Sequence, residues 1–210
     1  SAELGRWNIS IDDSAGRPLS HTPPGTFLIL LAEAADAEFS PVPLLALLKH
    51  PLCACGGAPG EFRARVRELD RRALRGARPD PGLDGISKAI AQTKDENIAA
   101  WFAPVAAILK KLENKRRNIA IADAVAAHVQ AAEQLAATNE ETGAARLYRG
   151  DAGDAAADLI AELSKATPDL PDIDTKSYAA LFASLAAEYP IRPSYGRHPR
   201  LSILGPLEAR

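Results

Sequence analysis

At 210 residues and 47% apolar content the chain is long enough to bury a core, and a chain of this size holds one domain or two small ones. Aromatic residues make up only 5% while alanine is abundant, which favours closely packed helices over a strand-rich sandwich, whose inward positions want β-branched and aromatic side chains. The net charge of −2 points to no extreme class, and no apolar run approaches the roughly 18–20 residues that cross a bilayer, so a membrane partner is not expected.

Residues 7–11, Trp7-Asn8-Ile9-Ser10-Ile11, alternate apolar and polar side chains and run into Asp12-Asp13-Ser14-Ala15-Gly16, a short strand and turn. Thr22 followed by Pro23-Pro24 starts a helix through Phe27 to Leu31, and Pro41-Val42-Pro43 opens another that Pro51 ends. Glycines and a proline between Ala54 and Gly60 form a loop. An amphipathic helix follows, with Phe62, Val66, Leu69 and Ala73 on one face and Arg63, Arg67, Arg71, Arg75 and Arg78 on the other. A turn at 78–82 leads to a helix over 84–93. The stripe Trp101, Phe102, Val105, Ile108, Leu109 and Leu112 predicts the next helix, kinked or divided at Pro104.

Ile121, Val125, His128, Val129, Ala132 and Leu135 keep a clear helical rhythm. Asp151 is read as the N-cap of a helix carrying Leu159, Ile160 and Leu163. Tyr178, Leu181, Phe182 and Leu185 mark a last helix, started near Asp174 or Thr175 after a Pro/Asp-rich turn at 167–174. A second strand is expected at Leu201-Ser202-Ile203-Leu204. Two short strands make a marginal sheet, and the chain has no methionine. Both features are read as signs of an internal piece of a larger protein. The opening Ser1-Ala2-Glu3-Leu4 lacks the charged-then-apolar pattern of a secretion signal, so a soluble, cytoplasmic location is expected.

Charge is unevenly distributed. Residues 61–78 hold seven arginines against three acids and residues 110–117 hold five basic residues against Glu113, so each window is net +4 and the remainder carries −10. Basic helix faces neutralise backbone phosphates without reading sequence, which makes Arg63, Arg67, Arg71, Arg75, Lys110, Lys111, Lys115, Arg116 and Arg117 the candidate DNA-contacting residues. A solvated helix face is the bland alternative, and no interleaved aromatics support base stacking.

Other chemistry is poorly served. With no Gly-Lys dipeptide there is no phosphate-cradling loop, and H-E-x-x-H, G-x-S-x-G and the dinucleotide fingerprint are also missing. No catalytic residue is therefore assigned. His50, Cys53 and Cys55 offer three soft ligands, yet structural zinc sites use paired C-x₂₋₄-C spacing, so these residues are expected to be a helix terminus with small thiols and no metal. One residue between the cysteines is too few for an ordinary disulfide and suits a reducing compartment. Pro168-Asp169 with Asp174-Thr175-Lys176 superficially matches a magnesium-dependent nuclease pattern. The few intervening residues, 170–173 with Pro171 among them, leave room only for a turn and a capped helix start.

Four stretches carry a resemblance. They are Ile11-Asp12-Asp13-Ser14-Ala15-Gly16-Arg17-Pro18-Leu19 with Thr22-Pro23-Pro24-Gly25; residues 41–52, Pro41 to Leu52; Leu147-Tyr148-Arg149-Gly150-Asp151-Ala152-Gly153; and residues 196–210, Gly196 to Arg210. In matching order they resemble the alphaproteobacterial form of AddB, a DNA double-strand break repair subunit of the AddAB helicase–nuclease. The resemblance implies a superfamily 1 helicase-like protein with a C-terminal nuclease. Residues 1–20 would then begin a RecA-like (2A-like) α/β part, 21–195 would be a mostly α, 2B-like insertion, and 196–210 would return to the RecA-like sheet. It also implies AddA and DNA as partners in end resection for homologous recombination, with ATP and magnesium used by the parent complex outside this segment. The alternative is a purely structural or protein-interaction module without DNA contact.

Overall fold

Thr22 sets the geometry from which the fold is built. Its hydroxyl donates to the Leu19 carbonyl at 2.6 Å and accepts from the Gly25 amide at 3.3 Å, so it caps the helix that Pro23-Pro24 opens. Gly25 is required there because a Cβ would fall 1.9 Å from the Leu19 carbonyl oxygen. This helix, α1 (Pro23–Asp36), buries Phe27, Leu28, Leu31, Ala32 and Ala34, and four other helices of the chain pack around it.

The computed structural model describes residues 16–113, 118–166 and 171–191. The strands expected at 7–11 and 201–204, and Lys115, Arg116, Arg117, Pro168 and Asp169, lie outside them. The described chain is mostly helical, as the composition implies. In order come β1 (Arg17–Pro18), a 3₁₀ turn (Leu19–His21), α1, α2 (Pro41–Leu48), α3 (Pro59–Leu69) running into a π turn (Asp70–Leu74), α4 (Gly82–Gln92), and α5 (Glu96–Leu109) with a 3₁₀ turn (Lys110–Leu112). Then follow β2 (Asn118–Ile119), α6 (Ile121–Ala136), α7 (Gly143–Leu147), α8 (Gly150–Ala166), β3 (Ile173–Asp174), α9 (Thr175–Glu188) and β4 (Pro190–Ile191). Among the described residues no helix is long and apolar enough to cross a membrane.

α1 packs against α9, α2, α6 and α8, while α3, α4 and α5 form a second layer joined through the π turn and α6. One continuous apolar core runs through both, from Leu19 and Phe27 to Phe102, Leu135 and Phe182. β1 pairs antiparallel with β4, Arg17 opposite Ile191 and Pro18 opposite Pro190. The chain thus runs into and out of the helical body side by side. β2 pairs with β3 in the same sense, Asn118 opposite Asp174.

Three local expectations are corrected. α5 is not divided at Pro104 but runs through it; Pro104 and Ala100, whose carbonyl loses its helical partner, are both on the exposed side, so the freed oxygen is open to solvent. α8 starts at Gly150, which puts Asp151 in the first turn rather than at the cap, where its charge favours the helix dipole. Ala73 is only partly buried against the core, and Leu74, one residue on, is the fully packed member that continues the stripe of α3. The π turn places five residues where an α-helix places four, bringing Leu74 under Leu69.

Candidate nucleic-acid interface

The arginine-rich segment is anchored by its apolar side. Phe62, Val66 and Leu69 are buried, and Phe62 meets Trp101 of α5 with ring centroids 5.3 Å apart. With that face fixed inward, the arginines divide into two groups.

The first group is tied down by carboxylates. Glu68 holds Arg65 at 3.2 Å and Arg72 at 3.1 Å, and Arg72 also reaches Asp95 at 2.6 Å. Asp70 accepts from Lys49 at 2.8 Å and Arg75 at 3.3 Å. The Lys49 hydrogen bond, outweighing partial desolvation and aided by Arg75, holds the Asp70 carboxyl below its ordinary value. These pairs staple α3 and its π turn to α2 and to the start of α5. The second group is Arg63, Arg67 and Arg71, spaced by four residues, all exposed, and none has a carboxylate within ion-pairing distance among the described residues. Their guanidinium charges are uncompensated. Of the predicted contact residues on this segment, Arg63, Arg67 and Arg71 therefore stand together, while Arg75 is shared with Asp70.

The π turn and α4 also bound a surface groove of about 600 Å³, lined by Arg72, Arg78, Asp80, Lys88, Gln92 and Thr93 among others. Its single carboxylate, Asp80, meets Lys88 at 3.4 Å, with both side chains about 70% exposed; such a pair is weak and readily exchanged. Arg78 is exposed and has no ion pair among the described residues. Neither Arg78 nor Lys88 was among the predicted contact residues. Arg78 belongs to the same arginine run, whereas Lys88 is brought in only by the fold.

The second predicted cluster is elsewhere. Lys110 bonds Glu113 at 2.7 Å and Asp84, in the first turn of α4, at 3.0 Å, and the Glu113 and Asp84 hydrogen bonds raise its pKa. Arg72, by contrast, is held at Asp95, beyond the last turn of α4, and a helix of that length is about 16 Å long. Lys111 reaches Gln130 at 3.4 Å and lies on a cavity of about 560 Å³ whose wall includes Asp36, Glu38, Asp84 and Glu113. The same wall carries Lys176, and two of its acids, Asp84 and Glu113, are those paired with Lys110. The structure thus separates Lys110 and Lys111 from the arginine row.

His128, on the same cavity, is 2% exposed and committed on both nitrogens: Nε2 is 2.9 Å from the Leu28 carbonyl and Nδ1 is 2.9 Å from the Tyr178 hydroxyl. Because a carbonyl only accepts, Nε2 carries the proton and Nδ1 accepts from Tyr178. Burial lowers its pKa to about 4, opposed by the Leu28 hydrogen bond. It is a satisfied core histidine.

His50, Cys53 and Cys55 form no metal-binding group; among the described residues no cluster of three or more His, Cys, Asp or Glu side chains is placed to hold an ion. Cys53 is buried, and burial raises both thiols, Cys55 to about 11. The loop's backbone has a structural use. Ala54 and Cys55 amides both donate to Leu135 O at 2.8 Å and Gly56 donates to Ala137 O at 2.7 Å, closing the C-terminus of α6. Arg146 completes the closure by donating to the carbonyls of Pro51, Leu52 and Ala136. Asp174 caps α9 by accepting from the Lys176 amide at 3.0 Å, the capped helix start expected there.

No protein-family model, no curated protein and no solved structure matches the chain.

Proposed function

We propose that the chain is a helical insertion segment of a cytoplasmic bacterial DNA double-strand break repair subunit of the AddB type, and that within the parent helicase–nuclease it guides DNA and contacts the AddA partner. The observation that carries the DNA-guiding part is the exposed row Arg63, Arg67 and Arg71, which forms no ion pair among the described residues while Glu68, Asp70 and Asp95 are engaged by Lys49, Arg65, Arg72 and Arg75; the one other acid of the helix, Glu61, is exposed at its first turn. Uncompensated arginines in a row are suited to backbone phosphates, where binding energy comes from counterion release. The antiparallel pairing of β1 with β4 supports the insertion reading, since a host chain can leave and resume through such a clasp, although adjacent ends are common in domains of any origin.

The sequence has no Gly-Lys phosphate-binding loop for a nucleotide, and no cluster of three or more His, Cys, Asp or Glu side chains among the described residues is placed to hold a magnesium ion; in the proposed assembly ATP and magnesium serve motor and nuclease modules elsewhere. The test is binding of the chain to a mixed-sequence DNA oligonucleotide between about 50 and 200 mM salt. Binding that weakens steeply with salt supports the proposal. Salt-insensitive binding contradicts the arginine assignment, and no DNA binding combined with retained binding to AddA favours the purely structural module.

A further inference from the structure

We propose that the cavity between the C-terminal end of α1 and the first turns of α4, α6 and α9 binds a small organic cation, an amine carried on an apolar body, with Asp36 and Glu38 receiving the charge. The proposal uses none of the arginines above and stands or falls separately from DNA contact.

Three observations carry it. The first is the cavity itself. Helices normally interdigitate until little space is left, yet here five alanines, supplied by α1, α6 and α9, leave about 560 Å³ open beside His128 and Tyr178. That volume lies within the range of about 300–1,000 Å³ that holds small molecules. The imidazole and the phenol are bonded to each other at 2.9 Å, so this part of the wall makes no charged demand on a ligand. It suits an apolar body.

The second is that Glu38 breaks two local rules at once. α1 closes with the Phe39 amide on the Ala34 carbonyl at 2.7 Å and the Glu38 amide on the Ala35 carbonyl at 3.0 Å, a pattern whose left-handed position normally falls to glycine. Glu38 stands there with φ +50°, followed by Phe39 at +52°. A carboxylate is also the disfavoured charge at the negative end of a helix dipole, and Asp36, in the last turn of α1, repeats that choice. Both acids are exposed, both line the cavity, and neither forms an ion pair among the described residues. Helix stability alone would select neither; local rules broken together mark residues that serve something other than the fold. A cation in the cavity would use both.

The third is how the rest of the wall is committed. The Gly82 amide donates to the Glu38 carbonyl at 3.0 Å and ties this strained turn to α4. Glu113 accepts from the Leu83 amide at 2.7 Å and from Lys110 at 2.7 Å, and Lys110 also holds Asp84, so these two acids serve the fold. Of the two lysines on the wall, Lys111 is drawn to Gln130 at 3.4 Å and Lys176 is exposed in the first turn of α9. Even with Lys110 counted beside them, the four carboxylates leave one net negative charge. The acids open to a ligand are those at the end of α1.

The experiment is an amide NMR titration of the 210-residue chain at neutral pH with three probes that share one apolar body: 4-phenylbutylamine, 4-phenylbutanol and 4-phenylbutyrate. The amine should bind with a Kd of about 1 mM or tighter, shifting the amides of Glu38, Gly82 and Ala127, and at least about tenfold more tightly than the alcohol or the carboxylate. Asp36→Asn/Glu38→Gln should bring the amine down to the affinity of the alcohol. Its thermal midpoint should equal or exceed that of the wild type, since neither charge favours the helix end; a lowered midpoint would contradict that placement. Ala127→Leu, which fills the cavity, should weaken the amine by at least about tenfold. No binding of the amine, equal binding of all three probes, or a tighter carboxylate overturns the proposal. So does a preference for the amine that survives in Asp36→Asn/Glu38→Gln, or amine binding that Ala127→Leu leaves unchanged.

Discussion

Replacing His128 probes the core and its acid response together. The imidazole links α6 to the Leu28 carbonyl of α1 and the Tyr178 hydroxyl of α9, with Phe182 edge-on at 4.8 Å between centroids. In His128→Ala both polar partners lose their protein hydrogen bond and a ring-sized void opens beside the cavity. Unsatisfied buried groups cost about 1–3 kcal/mol each and ring deletions about 3–5 kcal/mol, with overlap between the two, so a loss of about 3–5 kcal/mol is expected from urea unfolding at pH 7.5. The pH response follows from the pKa lowered from 6.5 to about 4. Above pH 6.5 the imidazole is neutral in both states and contributes no linkage. As pH falls below 6.5 the unfolded chain takes up a proton that the folded chain refuses, so stability declines until about pH 4, by a total of about 3 kcal/mol. His128→Gln, which keeps a donor and an acceptor but cannot titrate in this range, should show a shallower decline by that amount. His50, also lowered to about 4 by burial, titrates in both proteins and cancels in the comparison. Parallel stability curves for wild type and His128→Gln between pH 7 and pH 4 would refute the reasoning.

Further outcomes are expected from the same structure. Arg146→Ala strips a charged donor from the Ala136 carbonyl at the end of α6 and from the Pro51 and Leu52 carbonyls of the loop packed on it, and should cost about 2–3 kcal/mol in urea unfolding, with partial recovery in Arg146→Lys; a change below about 0.5 kcal/mol would mean the clamp is incidental. Gly25→Ala must move the Leu19 carbonyl from a 1.9 Å approach and should lower stability by at least about 2 kcal/mol, measured by thermal unfolding. Burial raises both cysteine thiols, so a disulfide reagent at pH 8 should react slowly with the native chain and rapidly after unfolding; two fast native thiols would contradict the burial of the 53–56 loop.

The helical skeleton was legible because its signals are local: proline at helix starts, Asp174 as a cap, and apolar residues at helical spacing in α6 and α9. The π turn was harder to see. Ala73 satisfies an α-helical stripe, and only the larger Leu74, one place later, hints that the register shifts by a residue. The charged surface was legible as composition but not as arrangement. The i,i+3 pair Arg65–Glu68 and the i,i+4 pair Glu68–Arg72 are visible in the run of arginines, but the run does not say that Asp95 also takes Arg72 or that Lys49 joins Arg75 on Asp70, because Asp95 and Lys49 come from other parts of the chain. Lys110 pairs with Glu113 three residues on, which sequence shows, and with Asp84 across the fold, which it does not. Arg146 carried no signal at all, since its acceptors at 51 and 52 are some ninety residues away.

The central claim, that the arginine row and not the lysine pair contacts DNA, is tested most directly by comparing two variants of equal fold in duplex binding at about 50 mM salt. Arg63→Ala/Arg67→Ala/Arg71→Ala should weaken binding by more than tenfold and flatten the salt slope by about 2.7, three contacts at about 0.9 each. Lys110→Ala/Lys111→Ala should leave both affinity and slope nearly unchanged, because Lys110 is ion-paired with Asp84 and Glu113 and Lys111 bonds the neutral Gln130 away from the arginine row. Equal losses in the two variants, or a larger loss in the lysine pair, would contradict the account.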